Sequence, residues 1–211
     1  MKTMAHRAGV LVLLLAAWGC AARTPAVRVP PQIDLRPHEI IGVIEFGSTS
    51  KGGLGPLATR RFTEAARRDQ GLVRIVDLGS RSEALRSIGR DQLDAGALVE
   101  LGRKHGVRTI VVGDVTVSGV RPNVRIESAL QSGGLSAQVD ATLAVQIVEA
   151  ASGASLWNRS ARATHSVANV GLWGGKEITF DASDPAQAYG GLVDQLVEQV
   201  TRPFRATWAR P

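Results

Sequence analysis

The chain has 211 residues, 44% of them hydrophobic and 21% charged, with Cys20 as its single cysteine. That composition excludes a disordered chain, a disulfide-stapled scaffold and a long multi-domain assembly, and it fits one globular core. The formal charge of +6 is almost wholly arginine, since lysine occurs only at positions 2, 51, 104 and 176. It describes a weakly basic surface suited to anionic lipid or acidic partners.

Lys2, His6 and Arg7 open the chain, Val10 to Ala17 is an unbroken apolar run, and Ala17-Trp18-Gly19-Cys20 closes it. Basic, apolar and then small residues in this order form a secretory signal. The apolar run falls short of the roughly 20 residues that span a bilayer. A cysteine directly after Gly19 resembles the lipobox of bacterial lipoproteins. That resemblance implies cleavage between Gly19 and Cys20, diacylation of the thiol (palmitate among the chains) and acylation of the new N-terminus. Ala17 stands where the family usually has Leu, and Trp18 is bulky for its place. An ordinary cleaved signal with an incidental cysteine is the alternative. Cys20 has no second cysteine to pair with, which favours an anchor. Ala21 after it resembles outer-membrane sorting in enteric bacteria, hence a lipid-anchored protein of the cell outer membrane facing the periplasm. Nucleic acid, ATP and NAD(P)H are remote from that compartment. Without Lys2 and Arg7 the formal charge of the mature chain is +4.

Residues 20–38 read as the lipidated cysteine and a proline-rich linker, with Pro25, Pro30, Pro31 and Pro37 favouring extended polyproline II. A single α/β domain is expected over 39–205 and a tail over 206–211. Ile40 to Phe46 is a continuous β-branched run, the pattern of a strand buried on both faces. Gly47 to Gly55 reads as a glycine-rich loop. Leu54, Leu57, Ala58, Phe62, Ala65 and Ala66 then recur at helical spacing, ending at Gly71. Leu72 to Val76 is a strand, Arg81 to Ile88 a short helix, and Asp91 to His105 a longer one closed by Gly106. Val107 to Val117 completes a parallel β-α-β-α-β half. Val120 to Ser128 reads as a further antiparallel strand, joined through Ser132-Gly133-Gly134. Leu135 to Ile147 alternates apolar and polar residues with a period of two, and Leu156 to Val167 returns as its hairpin partner. Ser183-Asp184-Pro185 starts a final amphipathic helix that runs through Leu192, Leu196 and Val200 to Phe204. The fold class is therefore α/β, a mixed sheet with a parallel half and antiparallel hairpin strands, flanked by helices.

Three stretches carry a family resemblance: IIGVIEF, LGRKHGVRTIVVGDV and LAVQIVEAASGASLW. Together they resemble the domain shared by CsgG-type curli secretion lipoproteins, LpoB-type activators of penicillin-binding proteins and the N-terminal domain of TolB. The resemblance covers about Glu39 to Phe204 and implies a TolB-N-terminal-domain-like fold. It also implies a domain that is not an enzyme but binds envelope proteins, such as peptidoglycan synthases or a secretion apparatus, or forms a homo-oligomeric ring.

The residues themselves offer little catalytic chemistry. Gly53-Leu54-Gly55-Pro56-Leu57-Ala58 has the form G-x-G-x-x-A, but six residues separate it from Phe46, and Pro56 lacks an amide for a pyrophosphate. Gly174-Gly175-Lys176 is followed by Glu177, so it is no P-loop. The histidines, His6, His38, His105 and His165, have no metal-ligand spacing. No cofactor and no metal is expected. Two stretches read as partner surfaces: the arginine pairs Arg60-Arg61 and Arg67-Arg68, and Trp173, set among glycines in the loop-like segment Val167 to Phe180. The favoured function is an LpoB-like binding module in envelope assembly or regulation. A CsgG-like secretion-channel subunit is the alternative, and an enzyme stands third. If Cys20 is the anchor, mass spectrometry of the mature N-terminus will find it acylated, and Cys20→Ala will leave the chain uncleaved and without acyl chains.

Overall fold

The computed structural model describes residues 26–123, 136–168, 170–173, 177–180 and 182–209. They divide into two units, Pro31–Arg205 and a small one that pairs the two ends. In the small unit, β1 (Val27–Val29) and β11 (Thr207–Ala209) form an antiparallel ribbon with Arg28 opposite Trp208.

The larger unit is organised around β2 (Ile40–Val43). It lies between two parallel partners, β5 (Arg74–Asp77) and β6 (Thr109–Asn123). A parallel strand in that position needs cover on both faces, which is why its sequence is apolar throughout. Past β6 the sheet turns antiparallel, β6 pairing with β7 (Ser136–Glu149) and β7 with β8 (Ser155–Ala168). The strand order is β5-β2-β6-β7-β8, with β3 (Gly47–Ser48) also beside β6. Helix α1 (Leu54–Gln70) and helix α4 (Pro185–Thr201) bury their apolar stripes against one face, where Phe62, Val43, Val145, Leu192 and Phe204 share a core. Helices α2 (Arg81–Ser87) and α3 (Ala95–His105) cover the opposite face, packing Leu98 and Leu101 with Ile44, Ile110 and Val148. The architecture is the mixed, helix-flanked α/β sheet expected from the sequence.

Helix boundaries follow capping chemistry. Ser80 and Glu83 close a capping box on α2. The Asp94 side chain accepts from the Ala97 amide, so α3 begins at Ala95 rather than Asp91. Asp184 caps α4 through the Gln187 amide, with Pro185 in the first turn.

Three expectations are corrected. Val120 does not open a separate strand; Val120 to Asn123 continue β6 beyond an irregularity between Val117 and Gly119. The remainder of that expected strand and its Ser132-Gly133-Gly134 turn lie outside the described residues. The loop-like segment contains two paired strands, β9 (Val170–Trp173) and β10 (Glu177–Phe180). Within the expected glycine-rich loop, β4 (Lys51–Gly52) pairs parallel with β10, because Gly52 at φ 102 brings its backbone against Phe180.

The stretch read as linker also contributes to the core. Leu35 is buried, its amide donating to Gln70 Oε1 at 2.8 Å. Gln70 Nε2 donates in turn to the carbonyls of Ile33 and Phe204. One buried side chain thus satisfies backbone groups from both ends of the unit. Gln70→Leu removes all three bonds at nearly constant size, and unpaired buried polar groups cost about 1–3 kcal/mol each. The variant should lose about 2 kcal/mol or more, a fall of roughly 4–8 °C in Tm by thermal denaturation. Gln146→Ala, on the polar face of β7, should stay within about 0.5 kcal/mol of the parent.

Candidate functional site

The exits of β2 and β5 diverge. β2 leads into α1 on one face of the sheet, whereas β5 leads into α2 on the other. The crevice outside the carboxyl ends of the strands is lined by Glu45, Phe46, Ser48, Arg81 and Ser82. The two exits are tied by Glu45 N–H to Gly79 O and Leu78 N–H to Val43 O, both 2.9 Å. The Phe46 amide donates to Thr59 Oγ1 at 2.8 Å, and that hydroxyl donates to Gly55 O at 2.9 Å, fastening the loop to the first turns of α1. Gly55 is required by contact: a Cβ there would lie 2.2 Å from Phe46 O. The second glycine of the G-x-G-x-x-A stretch therefore serves loop-to-helix packing.

Between α1 and β5 runs a cleft of about 440 Å³. Val43 and Ile75 line it with apolar surface, Glu45 and Asp77 stand at the strand ends, and α1 contributes Arg60, Thr63, Glu64 and Arg67. Helical spacing explains the selection: residues seven apart share a face, while the next residue turns about 100° away. Accordingly the four arginines do not form one surface. Arg61 turns aside to Glu64 at 3.2 Å and to Asp194 of α4 at 3.3 Å. Arg68 binds Asp69 at 3.0 Å, and the Asp69 carboxylate also receives Arg205 at 2.6 Å. Among the described residues, the guanidinium groups of Arg60 and Arg67 have no hydrogen bond or ion pair, nor does the Glu45 carboxylate.

Burial pushes the Glu45 carboxyl above its ordinary range, and the nearby charges of Asp77 and Glu83 push it further. The contrast is with Asp69. Burial alone would raise its pKa, but hydrogen bonds from Arg68 and Arg205 outweigh that and hold it low. Glu198 is likewise lowered, chiefly by the hydrogen bond from Arg205.

Other residues singled out from the sequence do not converge here. Trp173 ends β9 opposite Glu177, and its side chain lies outside the description, as do Gly19 and Cys20 altogether. His38 Nδ1 is 2.9 Å from Thr109 Oγ1, His105 ends α3, and His165 lies beside Gly191 and Gln195 of α4. Among the described residues no three His, Asp or Glu side chains gather as metal ligands, and no helix is long and apolar enough to cross a membrane. Sequence reasoning missed Glu45 and met Asp77 only as the acid closing the strand after the rejected G-x-G-x-x-A stretch. Their signal was a carboxylate just past, or closing, each of two neighbouring parallel strands.

No protein-family model and no curated protein matches the sequence. Several solved structures are similar to it. The PelC dodecamer from Paraburkholderia phytofirmans matches at 12% identity over 87% of this chain and 99% of that one, with a TM-score of 0.46. The LpoB C-terminal domain from Escherichia coli matches at 15% identity over 72% and 93%, with a TM-score of 0.40. Lipoprotein GNA1162 from Neisseria meningitidis matches at 14% identity over 60% and 83%, with a TM-score of 0.39. These three scores lie below 0.5, and the functional reading rests on the chain's own residues.

The Glu45 environment sets a pH signature. Its folded pKa lies above the unfolded one, so the folded state binds more protons between the two values. Stability therefore declines as pH rises through that window. Glu45→Gln removes the penalty, and its Tm advantage over the parent should be greater at pH 7 than at pH 4 in parallel thermal melts.

Proposed function

We propose that this chain is an outer-membrane lipoprotein, anchored through acylated Cys20 and facing the periplasm, that serves as a non-catalytic binding module for other envelope proteins, in the manner of LpoB. The observation that carries the binding role is the uneven treatment of charge on α1. Arg61 and Arg68 are neutralised within the fold, whereas Arg60 and Arg67 line an open cleft unpaired, and Glu45 in the same lining is also unpaired. Charged groups left in that condition are available to a partner, and complementary charge then fixes its register and speeds encounter.

The alternative channel subunit needs strands with one face turned to lipid. The long strands β6, β7 and β8 do not supply it among the described residues. One face is buried under α1 and α4. Past the cover of α3 the other carries Asp114, Thr116, Thr142, Asn158, Ser160, Arg162 and Thr164, with Asp140 accepting from Arg121 at 2.6 Å.

Site-specific crosslinking in intact envelopes tests the docking role. Replacing both free arginines by glutamine should reduce crosslinked partner about tenfold, about 1.4 kcal/mol, while the melting temperature stays near the parent's. Trp173→Ala should reduce it about thirtyfold if that residue is the anchor of the interface. Conductance of the purified protein in planar bilayers would overturn the reading in favour of a channel.

A further inference from the structure

The geometry points to the cleft between α1 and β5 as a binding site for a short zwitterionic peptide, one bearing both a free ammonium and a free carboxylate. This rests on the non-catalytic binding reading of the same site.

The cleft is polarised along its length. Helix α1 starts beyond the carboxyl end of β2 and ends before the amino end of β5, so it runs antiparallel to both strands. Glu45 and Asp77 mark the strand ends, while Arg67 lies two helical turns below Arg60, beside the start of β5. Negative charge thus occupies one end and positive charge extends down the other. Glu64, the remaining carboxylate of the lining, is already paired with Arg61 at 3.2 Å.

This mixture selects among ligands. A free anion attracted to the arginines meets Glu45 and Asp77 in the same cleft. A metal ion attracted to the carboxylates meets two guanidinium groups. A molecule with a cation at one end and an anion at the other satisfies both, and its ammonium would relieve a Glu45 carboxylate that lacks any cationic partner. The seven residues from Arg60 to Arg67 rise about 10 Å along the helix axis. A peptide with its ammonium at the strand-end carboxylates and its carboxylate at Arg67 must reach past Arg60 along this rise, and an extended tripeptide, at about 3.3–3.6 Å per residue, has a length of that order. The volume of about 440 Å³ lies within the range of small-molecule sites, and the half-buried Ile75 offers apolar contact to a small side chain.

The test is calorimetric titration of the purified, lipidated protein in detergent with trialanine, N-acetyl-trialanine and trialanine amide. Trialanine should bind with a Kd of about 1 mM or below, and each capped form should bind at least tenfold more weakly. Glu45→Gln should weaken trialanine but not the N-acetyl form, and Arg67→Ala should weaken trialanine but not the amide. Absence of binding up to about 10 mM trialanine overturns the inference. So does equal binding of the amide, which would mean recognition of a chain's N-terminus alone. Peptide binding is measured without any protein partner, so the two readings fail separately. Lost peptide binding with intact crosslinking removes this inference, and the converse removes the docking role.

Discussion

A parallel strand has to be covered on both faces, and much of this architecture follows from that demand on β2. Its two neighbours are reached by crossovers on opposite sides of the sheet, α1 on one and the α2–α3 pair on the other. The antiparallel strands β7 and β8 make a weaker demand, since one face of such a sheet tolerates water. Their alternating residues bury Val139, Ala141, Leu143, Val145 and Ile147 under α4 and leave Thr142, Gln146 and Asn158 on the other side. The cleft lies on the α1 side of this sheet, between that helix and the edge strand β5.

The closing ends of the unit are held by polar groups. Gln70 receives or supplies a hydrogen bond for Leu35, Ile33 and Phe204, while Arg205 joins Asp69 to Glu198. Asp69 is well shielded, at 7% side-chain exposure, so its bond to Arg205 matters more than the largely exposed pairs such as Arg36–Asp34. Both carboxylates in this network have lowered pKa values. Their contribution is complete above the ordinary carboxylate range and is lost as pH falls through the lowered values. Glu45 has the opposite sign. The same fold thus contains carboxylates that favour folding at neutral pH and one that opposes it, and the opposing one lies in the cleft.

Periodicity made most of the fold legible. The period of two from Leu135 onward identified β7, and the 3.6-residue stripes identified α1, α3 and α4, because each pattern states which side is buried. The errors fell where pairing depends on distant partners. β9 and β10 have little periodicity of their own; what makes them strands is the backbone of Gly52 approaching Phe180 from more than a hundred residues away. Leu35 and Ile33 were hidden among prolines, and their burial depends on a glutamine at the far end of α1. The site was half legible. Arginine pairs are visible in one dimension, but which member of each pair faces the cleft is decided by helical rotation against β5 and α4.

That rotation gives the charge on α1 its meaning. Adjacent arginines have the same chemistry in sequence, yet in the fold Arg61 is claimed by Asp194 and Glu64 while Arg60 is left to the cleft. An arginine paired within its own protein adds little to recognition, because a partner must first compete with the existing carboxylate. An unpaired arginine and an unpaired, partly buried carboxylate in one lining both have interactions unmade, and a ligand of matching polarity supplies them without breaking any existing bond. The cleft therefore combines low internal competition with a fixed direction of charge, set by an antiparallel helix lying along parallel strands.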